Sequence, residues 1–121
     1  METKVMESEL AGTWYTDDPK LLAREVDAYL DAVSAPVQED VIALLLPHAG
    51  YRYSGMVAAH GVKRVAGRAF KRVVVMGPSH RLPLLDAVSL PDASHVATPL
   101  GLVEIDRAMA GSLAKHPAFQ S

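Results

Sequence analysis

Cysteine is absent from this 121-residue chain, which excludes a disulfide scaffold and any thiolate metal site formed by the chain alone. An excess of basic charge is also absent. Twelve Lys and Arg stand against fourteen Asp and Glu, which argues against a nucleic-acid partner. The longest apolar run, Val41 to Leu46, is far shorter than the roughly 20 residues of a membrane span. Residues 1–10 lack the apolar stretch of a signal peptide, so we expect a cytoplasmic protein without a membrane partner.

Half of the residues are hydrophobic, and the chain is long enough to form a core. Residues 1–10 show no periodicity and are expected to be flexible. The first helix is predicted to begin near Pro19, because Asp17 or Asp18 can cap it and proline suits its first turn. Its apolar face is spaced at three or four residues and consists of Leu22, Val26, Tyr29 and Val33.

Two apolar segments predict buried parallel strands, Val41–Leu46 and Lys71–Met76, because they are continuously hydrophobic rather than alternating. A helix over Met56–Val65, closed near Gly67, would connect them as a right-handed βαβ unit. The sequence patterns beyond His80 are weaker. They predict a short strand within Ala87–Leu90, a turn at Thr98–Gly101, an extended Leu102–Ile105 and a last helix capped by Asp106 and ended by Pro117.

Each predicted strand runs into a loop that carries a histidine. His48 lies two residues beyond the first strand and His80 four beyond the second. Ligands of open α/β sheets bind at the carboxyl ends of the strands, so both imidazoles could reach one point. Two histidines and one oxygen ligand would suit non-haem iron or catalytic zinc. The alternative is that both are ordinary loop residues with satisfied hydrogen bonds.

Neighbouring side chains add candidate roles. Tyr51 and Tyr53 could donate hydrogen bonds near a metal or an anion, while Arg52 and Arg81 could pair with a carboxylate or phosphate. For both arginines the alternative is a solvated surface charge. Ser79 is a poor nucleophile candidate, because an arginine follows His80 where a nucleophile elbow has glycine.

Trp14 and Tyr15 combine apolar area with a polar tip, so they could line a ligand pocket or simply cover a sheet edge. The spacing of Gly50–Gly55 resembles a phosphate loop. The lysine and serine or threonine that such a loop needs are missing, so this reading is rejected.

Four segments, taken in order, resemble the Memo-like family, also called AmmeMemoRadiSam system protein B. They span nearly the whole chain and are Ala11–Tyr15, Pro47–Gly55, Gly77–His80 and Thr98–Gly101. The resemblance implies a mixed or mostly parallel α/β sheet flanked by helices, like that of extradiol-type non-haem iron dioxygenases. It also implies that His48 and His80 are metal ligands and catalytic groups, with Tyr51 beside them.

The implied cofactor is a divalent metal, with iron preferred over copper or zinc, and the implied activity is that of a metal-dependent oxidoreductase. Trp14, Tyr15, Arg52, Tyr53 and Arg81 become candidate substrate-binding residues. The eukaryotic relative is described as binding phosphotyrosine peptides, so the alternative is a phosphopeptide- or anion-binding module without catalysis. The expected ligand is a small molecule or a phosphorylated peptide.

Family members are more than twice as long and complete their site with residues beyond the segments found here. The resemblance therefore implies that residues 1–121 are the N-terminal portion of a single Memo-like domain, with two metal ligands and no third. An inactive truncated fragment is the remaining alternative. A partial sheet would leave apolar surface uncovered, which makes self-association an expectation.

Overall fold

The structure, a computed structural model, describes residues 3–81, 83 and 86–120. The chain divides into two compact units, one of residues 9–71 and the other of residues 1–8 and 72–121. Both helices and strands are present, so the predicted α/β class is confirmed. The elements, in chain order, are β1 (Val5–Met6), α1 (Pro19–Asp31), α2 (Tyr51–Lys63), β2 (Val88–Ser89), β3 (His95–Thr98), β4 (Gly101–Glu104), α3 (Arg107–Leu113) and β5 (Phe119–Gln120). No helix within these described ranges is both long and apolar enough to cross a membrane.

Helix α1 begins where the sequence predicts. The Asp18 carboxylate accepts hydrogen bonds from the backbone N–H groups of Lys20 and Leu21, both at 2.8 Å. It thereby satisfies two of the donors that every helix start leaves without a helical partner. Pro19 occupies the first turn, where its missing N–H costs nothing. The capping prediction is confirmed, with Asp18 rather than Asp17 as the cap.

Helix α2 begins at Tyr51, five residues before the predicted start. The glycine-flanked stretch suggested a loop, but one tertiary and one local hydrogen bond hold it as a helical turn. The N–H of Tyr51 donates to the carbonyl of Trp14 at 2.9 Å. The buried hydroxyl of Ser54 donates to the carbonyl of Ala49 at 2.8 Å. These bonds stabilise the first turn, where no side chain of Gly50 can act as a cap.

The core of the 9–71 unit lies around α1 and α2. Its buried side chains belong to Leu22, Val33, Ser54 and Ala59. The two helices approach closely at Gly55, because a β-carbon there would lie only 2.8 Å from the Tyr29 ring. The missing side chain of Gly55 therefore makes room for an aromatic ring of the neighbouring helix.

Short strands form the sheets of the other unit. Strands β3 and β4 form an antiparallel hairpin whose register pairs His95 with Glu104, and β1 joins β3 in parallel. Strands β2 and β5 form a separate parallel pair. The predicted short strand, the turn at Thr98–Gly101 and the extended segment after it are confirmed. No element was predicted for residues 1–10, yet β1 lies there. Val5 and Met6 pair with strand β3, which is distant in sequence and gave no local signal.

Helix α3 is capped as predicted. The Asp106 carboxylate accepts a hydrogen bond from the Met109 N–H at 2.9 Å and pairs with the Arg72 guanidinium at 2.6–2.7 Å. The helix ends at Leu113, four residues before Pro117. Asp106 therefore caps the start of α3 and also connects this helix to Arg72 through an ion pair.

The two predicted central strands are wrong for this structure. Neither Val41–Leu46 nor Lys71–Met76 has a ladder partner among the described residues, so the predicted βαβ unit does not form. Ile42 and Leu45 are 100% and 102% exposed, and Val75 is 89% exposed. The physical reason is that the backbone of a strand, unlike that of a helix, forms its hydrogen bonds with a neighbouring strand.

Candidate ligand-binding site

A mainly apolar cavity of about 370 Å³ lies within the 9–71 unit. Four predicted site residues line it, namely Trp14, Tyr15, His48 and Tyr51. Apolar atoms form most of its wall, supplied by α1, α2 and the chain around Leu46. Ligand pockets typically combine such apolar walls with a few polar groups.

The turn that bears Trp14 contacts the start of α2. Gly12 adopts a positive φ of 82° and donates its N–H to the Tyr15 carbonyl at 2.8 Å, which closes the turn. A β-carbon at Gly50 would lie 3.2 Å from the Trp14 carbonyl oxygen, so glycine permits the close approach. The first and second motif segments of the sequence thus meet at the cavity.

Three phenol rings cluster at the cavity. Tyr15 and Tyr51 are tilted with ring centroids 5.4 Å apart, and Tyr29 meets Tyr51 edge-on at 6.5 Å. The Tyr29 hydroxyl lies 3.1 Å from a Glu25 carboxylate oxygen and 3.2 Å from the Tyr51 carbonyl oxygen. Because a phenol has one proton, it donates to one of these acceptors at a time.

The electrostatics of the cluster favour neutral phenols. Burial raises the pKa of Tyr51 above its ordinary value, and the neighbouring Tyr15 and Glu25 raise it further. Burial also raises the pKa of Tyr29, together with its hydrogen bond to Glu25 and the charge of that residue. Both phenols therefore remain protonated at neutral pH and can act as hydrogen-bond donors.

Two predicted substrate-binding residues lie on α2 but do not line this cavity. Arg52 and Tyr53 are exposed. The Arg52 guanidinium lies 5.8 Å from the centroid of the Tyr53 ring, within the range of a cation–π contact. The structure thus pairs these two side chains with each other at the surface.

The two histidines belong to different units of the chain. His48 lies in the 9–71 unit and lines its cavity, whereas His80 and Arg81 lie in the other unit. Throughout the described ranges, no three His, Cys, Asp or Glu side chains come together as a group that could hold a metal ion. The two-histidine metal site therefore remains a prediction.

Sequence reasoning missed three residues that line the cavity, Tyr29, Ser54 and Gly55. It also missed Glu25, which accepts a hydrogen bond from the Tyr29 hydroxyl. Tyr29 was assigned only to the apolar face of α1. Its hydroxyl was the available signal, because a phenol on a buried face needs a hydrogen-bond partner. The role of Gly55 depends on α1, which lies far from it in sequence.

Comparison of the sequence with known protein families gives the class of this protein. A family model described as "Memo-like protein" matches residues 7–121. The chain therefore belongs to the Memo-like family.

Individual relatives agree with this assignment. Protein MEMO1 of Homo sapiens and of Mus musculus are each 34% identical over 114 residues, which cover 94% of this chain. A MEMO1 family protein of Schizosaccharomyces pombe is 32% identical over 122 residues and covers the whole chain. In each comparison the chain spans 38% of the length of the relative.

Proposed function

We propose that the cavity of the 9–71 unit binds a planar aromatic group of a small molecule or a peptide. The observation that carries this proposal is the composition of its wall, where Trp14, Tyr15, Tyr51 and His48 line mainly apolar space. Aromatic rings stack or meet edge-on with such side chains, and the gain exceeds that of area burial alone. The volume of about 370 Å³ falls at the small end of the range typical of ligand pockets.

The polar groups of the cavity suit a ligand with a hydroxyl or another hydrogen-bond acceptor. Tyr51 is a protonated phenol at neutral pH, because the ordinary phenol pKa of about 10 is raised further by burial. His48 can donate or accept through its imidazole nitrogens. A phenol-like ligand would place its ring against the apolar wall and its oxygen near these groups.

The test uses the fluorescence of Trp14, which is the sole tryptophan of the chain. We expect 4-methylphenol to change its emission saturably. Ala58 lines the cavity, so Ala58→Leu should fill it and weaken binding about tenfold or more. Ala28→Leu is the matched control, because Ala28 is exposed on α1 and outside the cavity wall, and it should bind like the original chain. Equal affinity of both variants, or no saturable change, would refute the proposal.

The phosphopeptide alternative predicts a different outcome of the same titration. Phenyl phosphate should then bind more tightly than 4-methylphenol, with an affinity that falls as ionic strength rises. Arg52→Glu should weaken phenyl phosphate and leave 4-methylphenol unchanged. The observation that favours this alternative is the exposed guanidinium of Arg52, one residue after the cavity residue Tyr51.

A metal-dependent role is the second candidate function. The predicted metal site has only two protein ligands, the imidazoles of His48 and His80. The role is supported by membership of the Memo-like family and by the histidine that each of two motif segments carries, His48 and His80. Zinc and non-haem iron sites use at least three protein ligands. The described residues bring no three such donors together, so they do not fit a complete site and we derive no reaction step through a metal.

Metal analysis of the purified chain tests this second candidate. We expect bound iron, copper or zinc to fall in both His48→Ala and His80→Ala, whereas His60→Ala, on the exposed surface of α2, should retain it. Unchanged metal content in both of the first two variants would contradict the role.

A further inference from the structure

The cavity of the 9–71 unit combines aromatic rings with a nearby negative charge. The sole tryptophan and three of the four tyrosines of the chain line it, namely Trp14, Tyr15, Tyr29 and Tyr51. The Glu25 carboxylate lies behind this wall, 3.1 Å from the Tyr29 hydroxyl. We propose that the cavity prefers an aromatic ligand that carries a methylated ammonium group. This inference rests on the proposed function and adds the charge of the ligand to it.

The carboxylate of Glu25 has no cationic partner in the part of the chain that the structure describes. Glu25 is half-buried on α1, and neither of the ion pairs found among the described residues includes it. After burial and the neighbouring Tyr15, the charge of Glu25 is the third cause that raises the pKa of Tyr51. The negative charge of Glu25 therefore acts on the cavity wall, and a cation bound there would balance it.

The aromatic rings favour a cation for a second reason. The face of an aromatic ring is electron-rich and attracts a cation within about 6 Å of its centroid, most strongly in tryptophan and next in tyrosine. The ring centroids of Tyr15 and Tyr51 are 5.4 Å apart, so one ligand can contact both rings. The hydrogen bond between the Tyr29 hydroxyl and Glu25 polarises that phenol in the same direction.

The chemistry of the wall also decides which charged groups it suits. None of the described residues that line the cavity is Lys or Arg, so a phosphate or carboxylate would lack an ionic partner there. A primary ammonium has three N–H donors, which a mainly apolar wall would leave partly unsatisfied. A fully methylated ammonium has no N–H donor, and its methyl groups can contact the apolar side chains.

Two ligands of matched shape test the preference. N,N,N-trimethyltyramine is a phenol with a quaternary ammonium group, and 4-(3,3-dimethylbutyl)phenol is its uncharged counterpart. We expect the cation to bind at least about fivefold more tightly when Trp14 fluorescence is titrated. The anion 3-(4-hydroxyphenyl)propanoate should bind more weakly than both. The titrations are made at about pH 8, where imidazoles such as that of His48 are ordinarily neutral.

Two isosteric exchanges on α1 locate the origin of the preference. Glu25→Gln should reduce the affinity ratio of the cation to its uncharged counterpart about threefold or more, because it removes the negative charge. Glutamine retains an oxygen that can accept from Tyr29. Asp27→Asn is the matched control, because it removes the same charge from an exposed position outside the cavity wall, and it should retain the ratio.

The cavity-filling variant shows where the cation binds. Ala58→Leu should weaken N,N,N-trimethyltyramine about as much as it weakens 4-methylphenol, because both ligands need the same space. Unchanged affinity of Ala58→Leu for the cation would place it outside the cavity and overturn the inference.

The outcomes separate this inference from the proposed function. The absence of a saturable response to all of the ligands would refute both. Saturable binding in which 4-(3,3-dimethylbutyl)phenol equals or exceeds N,N,N-trimethyltyramine would overturn the charge preference alone and leave the proposed function intact. An equal fall of the ratio in Glu25→Gln and Asp27→Asn would also overturn it, because the overall charge of the chain would then explain the preference.

Discussion

The helical unit of residues 9–71 and the strand-containing unit of residues 1–8 and 72–121 differ in how their apolar side chains are covered. All of the buried side chains in the described ranges, among them Leu22, Val33 and Ala59, belong to the helical unit. In the other unit, Val73–Met76 lies exposed although it is as hydrophobic as any core segment.

The difference follows from where each element obtains its hydrogen bonds. A helix satisfies its backbone internally, so α1 and α2 need only side-chain contacts with each other. A strand obtains its hydrogen bonds from a neighbour, so an apolar segment without one remains extended and uncovered. The two helices of the 9–71 unit therefore form a core, while extended apolar residues stay exposed in both units, as Ile42, Leu45 and Val75 show.

The largest expected effect comes from removing core volume in the helical unit. Leu22→Ala should lower the free energy of unfolding by about 2–5 kcal/mol, because Leu22 is only 4% exposed. Leu21→Ala on the same helix is the control, since Leu21 is 53% exposed and its loss should cost within about 0.5 kcal/mol. Urea titration monitored by Trp14 fluorescence measures both. Equal losses would show that α1 has no buried face.

An intermediate effect comes from one glycine exchange made in each unit. Gly55→Ala should destabilise by about 1 kcal/mol, because its β-carbon would meet the Tyr29 ring at 2.8 Å. Gly111→Ala on α3 should stabilise by up to about 1 kcal/mol, because no atom lies within 4 Å of its β-carbon and alanine favours the helix. Thermal unfolding followed by circular dichroism compares them. A shift of the same sign in both would contradict the close contact at Gly55.

The smallest effect concerns the exposed cap of α3. The hydrogen bond from Met109 N–H and the Arg72 guanidinium lower the pKa of Asp106 below its ordinary value of 3.8. A lowered folded-state pKa means that the stabilisation is present above the unfolded pKa and is lost as pH falls through the folded one. The Met109 amide should therefore lose protection from hydrogen exchange in that acidic range.

Asp106→Asn is the matched variant for this last prediction. Asparagine retains a capping oxygen but does not titrate, so the acidic loss at Met109 should disappear. Asp92 also titrates below its ordinary pKa because of Lys4, so a global acid transition is not sufficient evidence and the local amide must be followed. An unchanged acid response in Asp106→Asn would exclude the cap as its origin.

Much of the helical unit could be predicted because its signals are local. Asp18, Pro19 and the periodic apolar face were sufficient to locate α1, and Asp106 was sufficient to locate the start of α3. The start of α2 was placed too late, since it depends on the Trp14 carbonyl and on the Ser54 contact with Ala49. The Trp14 partner is set by packing between distant segments, whereas the bond between Ser54 and Ala49 is local.

The candidate site shows the same division. Trp14, Tyr15, His48 and Tyr51 were chosen by residue type and motif, and the cavity brings them together. Tyr29 and Gly55 were missed because their contact joins two helices. The apolar segment Val41–Leu46 was predicted to be a strand, but its predicted neighbour was not found within the described chain.

By itself, the sequence determined the family, the helix caps, the hairpin turn and the residue types available to the site. Each of these depends on residues close together in the chain or on motifs that can be read in order. Only the tertiary structure decided which rings share a cavity, where α2 begins, and that the two most hydrophobic segments lie exposed. These outcomes depend on contacts between segments that are distant in sequence. A run of apolar residues indicates that its side chains should be buried, but it does not specify which part of the protein buries them.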